Sequence, residues 1–200
     1  EAPFATEFYN SIGPSIGSEL RTKAMVALGL VIAAIVLFIA FAFRQVSEPV
    51  SSCKFGLVAI VALLHDVIIP TGVFALLGYL VGLEVDSLFV TALLVVLGFS
   101  VHDTIVVFDR VRENLHVKKH THTREHFETT VGKSIAQTFN RSINTSLTTV
   151  LTLLALYFLG PATTQSFSLA LLIGIVAGTY SSIFLGSPLL VTLERLSRRT

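Results

Sequence analysis

GFSVHDTIVVFDRVREN, residues 98–114, begins as apolar sequence fit for a membrane, carries an acid, Asp103, within it, and closes on the charged run Asp109, Arg110, Arg112 and Glu113. It reads as a transmembrane helix with a carboxylate inside it, leaving the bilayer through a charged boundary. An ionisable group in hydrocarbon is expensive, so Asp103 is by default a functional residue that needs a partner. The remainder of the chain has to supply it.

The surrounding 200 residues are 52% hydrophobic and only 14% charged, with a mean hydropathy of +0.77. That balance excludes an ordinary soluble domain and points to an all-α, polytopic bundle of transmembrane helices. The net charge of +1 says little, because the positions of the charges carry the information. A single cysteine, Cys53, rules out an intrachain disulfide. The chain opens on Glu1 and its first twenty residues lack the basic, apolar and cleavage regions of a signal peptide, so it reads as part of a longer protein.

Five spans are expected. Residues 1–22 mix aromatics with Gly, Pro and Ser and read as the end of an extramembrane region leading into a helix. Ala24–Phe43 is twenty residues without a charge, enough to cross the roughly 30 Å hydrocarbon core. The others are placed at about 55–83, 87–108, 134–160 and 166–191, with a polar loop at 109–133 and a tail at 195–200. Arg and Lys gather in 44–54, 109–133 and the C-terminal tail, while the turns at 84–86 and 160–165 have none. The positive-inside rule makes the former cytoplasmic and puts residue 1 outside.

Asp103 lies seven residues from Arg110, and Arg141 eight residues from Lys133. Both are therefore roughly 10–12 Å in from the cytoplasmic flank, on neighbouring spans. Arg141 heads a polar stripe, Asn144 or Thr145, Thr148 and Thr152, which reads as the wall of an ion path facing the bundle or water. Burial and a nearby guanidinium act in opposite senses on a carboxyl's hold on its proton. A changing distance between Asp103 and Arg141 would thus let the acid take up and release protons. The plainer alternative is a fixed ion pair that only sets packing. In span two, Asp66 sits near mid-membrane beside His65, and Pro70 four residues on removes a backbone donor and favours a kink there. Asp66 reads either as a second proton stop or as part of that hinge. Gly78-x-x-x-Gly82 and Gly174-x-x-x-Gly178 offer faces for close helix approach. The four histidines of 109–133 read as a solvated surface rather than a metal site, and topology accounts for the basic loop without nucleic acid.

Several stretches together resemble the SecD/SecF family of protein-export membrane proteins, within the resistance-nodulation-division (RND) superfamily. They are IGPSIGSELRTKA, HDVIIPTGVFALLG, GFSVHDTIVVFDRVREN, NRSINTSLTTVLTLLALYFLG and FSLALLIGIVAGTYSSIFLGSPL, in order along nearly the whole chain. The resemblance implies six spans in the complete protein and a non-enzymatic subunit of the bacterial cytoplasmic membrane that uses the proton-motive force. It implies as partners a SecD half, the SecYEG channel and the translocating polypeptide, with no cofactor. By position, Asp103 matches the family's proton-path aspartate, Arg141 its facing arginine and Asp66 the acid of its His-Asp pair; His102 stands where the family often has Asn. Two other readings compete: an intramembrane aspartyl protease using Asp66 and Asp103, and a fragment of an RND small-molecule exporter.

Overall fold

The computed structural model describes residues 14–42, 52–121 and 125–197, with side chains for 18–42, 54–121 and 125–197. The first part of the expected lead-in, most of the 44–54 connection, the Cys53 side chain and the last three residues of the tail lie outside the described residues. Every regular element described is helical: α1 (Pro14–Ala42), α2 (Ser52–Val81), α3 (Ser87–Thr121), α4 (Phe127–Leu159), α5 (Ala162–Tyr180), a π-helical segment (Ser181–Gly186) and α6 (Ser187–Ser197). Five stretches are long and apolar enough to cross a membrane, the last running unbroken from Ala162 to Ser197.

The span count agrees with expectation, but two boundaries do not. Helix α1 starts at Pro14, inside the stretch read as lead-in; proline suits the first helical position, where no N–H is needed. The polar loop expected at 109–133 is mostly helix, because α3 continues to Thr121 and α4 begins at Phe127. Polarity hid an apolar seam. Phe108, Val111 and Leu115 recur at three- and four-residue steps and join Phe127 and Val131 in one buried cluster with Ile39, Phe55, Val58 and Leu190. Glu125 links the two helices, pairing with Lys133 at 2.5 Å and accepting the Lys118 ammonium on its carbonyl.

Helix α3 is central, packed against α1, α2, α4 and α5. Its approach to α5 is close because Gly174 has no side chain: a Cβ there would lie 2.2 Å from Val96 Cγ2. The Gly174/Gly178 pair therefore serves helix packing, as its spacing suggests. Gly78 and Gly82 do something else. Gly82 takes φ 70° and its N–H bonds the Gly78 carbonyl at 3.1 Å, so the pair terminates α2 with a left-handed cap instead of receiving another helix. At the end bearing α6, Lys54 and Glu194 form a largely buried ion pair at 2.7 Å that ties α2 to α6.

Candidate functional site

Two carboxylates are buried between the helices. Asp66, on α2, is 0% exposed. Its Oδ2 accepts the Ser100 hydroxyl from α3 and the Ser181 hydroxyl from the π segment at 2.8 Å. Its Oδ1 lies 2.9 Å from Nδ1 of the partly exposed His65. Gly178 makes room for this arrangement, since a Cβ there would stand 3.2 Å from Ser100 Cβ and 3.6 Å from Asp66 Oδ2. Helix α2 continues through Pro70, and Asp66 has one partner beside it on α2, His65, and two on other segments, Ser100 and Ser181.

Asp103 is less completely partnered. It is 6% exposed, and its Oδ1 accepts the Ser142 hydroxyl from α4 at 2.6 Å. Its Oδ2 is buried with no hydrogen-bond partner among the described residues. Because Ser142 meets Asp103 directly, the adjacent Arg141 stands at the same level of the bundle. Arg141 and His102, the neighbours in sequence of Ser142 and Asp103, are both exposed. No ion pair joins either to Asp103 among the described residues, and no hydrogen bond joins Asp103 to Asp66.

The polar stripe headed by Arg141 lies on an exposed face of α4. Arg141, Asn144, Thr145, Thr148 and Thr152 are all exposed on the outside of these helices. Thr145, Thr148 and Thr152 donate to carbonyls of their own helix at 2.8–3.0 Å, which satisfies a hydroxyl without a neighbour. The face of α4 that enters the bundle is Ser134, Thr138, Ser142 and Ser146, all buried. Its regular four-residue step is visible in the sequence; the neighbouring stripe drew attention because it contains the arginine.

Other hydroxyls not singled out in the sequence line the same seam. Thr104 Oγ1 lies 2.9 Å from Ser182 Oγ, and Thr179 donates to Ser146 Oγ at 2.6 Å. Small hydroxyl residues thus connect α3, α4, α5 and the π segment around the two acids. Among the described residues no three His, Cys, Asp or Glu side chains gather as metal ligands; His116 and His120 are near each other, with ring centroids 4.5 Å apart.

A bundle of five helices long and apolar enough to cross a membrane, with carboxylates held in an interhelical hydroxyl seam, defines a polytopic membrane domain. The match to known proteins narrows this: residues 3–196 fit the family described as "Protein export membrane protein SecD/SecF, C-terminal", and the chain belongs to that family. A protein translocase subunit SecF of Thermobaculum terrenum is 54% identical over 197 residues, covering 96% of this chain and 60% of the relative. SecF of Anaerolinea thermophila is 43% identical over 187 residues, covering 93% of this chain and 58% of its own length. The crystal structure of SecDF from Thermus thermophilus, described as a translocon-associated membrane protein, superposes with a TM-score of 0.78 at 40% identity, over 92% of this chain and 23% of that one. The chain therefore spans about 60% of the length of these SecF relatives.

Proposed function

We propose that this chain is the membrane-embedded part of a Sec translocase subunit that uses the proton-motive force to promote late-stage polypeptide export, with Asp103 as its proton-exchanging group. The observation that carries the reading is the buried Oδ2 of Asp103, which has no hydrogen-bond partner among the described residues. An orphaned carboxyl oxygen has a lone pair free to take a proton, whereas a fixed structural acid is expected to have its lone pairs filled. Arg141, at the level of Ser142, is the charge whose approach or withdrawal biases Asp103. Asp66 is the fixed member of the pathway, held by donors on two sides. Each elementary charge crossing the full field yields about 2.3 kcal/mol per 100 mV, which is the work available to helix rearrangement.

The names of the relatives support the export role, and the description of the Thermus thermophilus structure supports association with the SecYEG channel. The exposed polar face of α4 supports a further helical half: hydroxyls, an amide and a guanidinium facing lipid are costly, and a SecD half, fused or separate, would cover them. The basic residues of 44–54, 109–133 and the C-terminal tail support a cytoplasmic side for those segments in a bacterial inner membrane, with residue 1 outside. The protease reading is disfavoured by the separate partners of Asp66 and Asp103, since a proteolytic dyad shares a proton between adjacent carboxyls.

The test is Asp103→Asn in the full-length protein. Insertion and assembly are expected to be unchanged, while stimulation of late export by the membrane potential is lost. Full potential-dependent stimulation at normal expression would rule out the proposed role.

A further inference from the structure

We propose that the cleft between the start of α1 and the α2–α3 turn binds a phospholipid whose head group carries both a phosphate and an ammonium. The cleft is open on one side and has a volume of about 820 Å³. Its less exposed lining is apolar, with Leu28, Val67, Phe89 and Leu93, and it is also lined by charged groups, Arg21 on α1 and Glu84 and Asp86 on the turn. Since α2 ends at Val81 and α3 starts at Ser87, the turn marks the end of two spans. The charged groups therefore lie at head-group level and the apolar lining extends into hydrocarbon.

The charges lining this cleft are unsatisfied in a particular way. Arg21 and Glu84 line the same cleft, yet neither has an ion pair or side-chain hydrogen bond among the described residues. Asp86 uses Oδ1 to accept the Phe89 N–H at 3.0 Å, capping α3, and keeps its other oxygen available. Nearby Lys23 is not comparable, because it is paired with Glu19 at 2.7 Å. A base and two acids that line one cleft without closing on each other match a dipolar guest. The guanidinium fork suits a phosphate, which it can grip with two N–H groups. A primary ammonium suits the carboxylates, and an acyl chain suits the apolar lining. The volume is that of a ligand site, sufficient for the head-group end and the upper part of one chain. An anionic lipid without an ammonium would set its phosphate beside Glu84 and Asp86 with nothing to offset them.

The experiment is native mass spectrometry of the full-length protein in mild detergent, titrated separately with dioleoyl phosphatidylethanolamine and dioleoyl phosphatidylglycerol. One phosphatidylethanolamine is expected to be retained at concentrations where phosphatidylglycerol is not. Arg21→Gln and Glu84→Gln should each weaken its retention roughly tenfold, with Lys23→Gln leaving it unchanged. Both cleft residues are exposed, and unchanged melting temperatures would show that the variants fold. Equal retention of the two lipids, parental retention by both cleft variants, or no retained lipid because another segment of the full-length protein fills the cleft would each overturn the proposal.

Discussion

Replacing Asp66 separates its role as a helix anchor from any role in proton exchange. In Asp66→Ala, the hydroxyls of Ser100 and Ser181 lose their shared acceptor. Ser181 has a fallback, the Gly178 carbonyl at 3.1 Å, whereas Ser100 is buried on α3. A buried donor deprived of its acceptor costs about 1–3 kcal/mol, and the space left by the carboxyl adds to it, giving about 2–4 kcal/mol in all. Asp66→Asn is different. Its amide oxygen can accept both serines, and its NH2 can donate to His65 Nδ1 once that ring changes tautomer, so the expected cost is below about 1 kcal/mol. Thermal melting of the purified full-length protein should show a drop of roughly 5–15 °C for Ala and little change for Asn. If Asp66 is the fixed member of the pair, the Asn variant also keeps potential-driven export. Loss of that stimulation at an unchanged melting temperature would refute the assignment, and an Asn variant as unstable as Ala would refute the hydrogen-bond account.

Two further outcomes test the packing. Gly174→Ala places a methyl group against Val96 and should destabilise the α3–α5 contact by about 1–3 kcal/mol; Val96→Ala in the same chain should restore much of the loss, as read by melting temperature. A π-helical segment is geometrically an α-helix with one extra residue, so deleting the exposed Phe184 should be better tolerated than inserting an alanine beside it. The insertion turns α6 by about 100° and draws Glu194 away from Lys54; equal melting temperatures for the two variants would contradict this geometry.

The spans were legible because a bilayer demands long apolar runs, and Asp103 stood out because a charge inside one is rare. The face that α4 presents to the bundle was harder to read. Its two adjacent stripes have nearly the same spacing, and which one turns inward depends on small side chains fitting against α3 and α5: Ser142 fits where Arg141 would not. The helical extensions through 109–133 were obscured by their many charges, although Val111, Leu115, Phe127 and Val131 retained an apolar seam. For Asp66, Pro70 suggested a local explanation. His65 is such a local partner, but the other two, Ser100 and Ser181, are 34 and 115 residues away, and serines in apolar helices carry no mark of what they bond.

The π segment links these observations. Gly174, Gly178, Ser182, Gly186, Leu190 and Glu194 are all buried and follow one another at four-residue steps. In a regular α-helix each such step drifts by about 40°, so five steps would carry the buried line more than halfway round the helix axis. The wide turn at Ser181–Gly186 takes up part of that drift and keeps Glu194 on the side where Lys54 waits. Pro188 helps to place it there: lacking an N–H, it cannot bond the carbonyl four residues back, at Phe184, so the helix loses little by loosening just before it. The same loosening occurs where Ser181 meets Asp66 and Ser182 meets Thr104, the residue next to Asp103. A single local irregularity thus sets the phase of α6 and touches the surroundings of both acids.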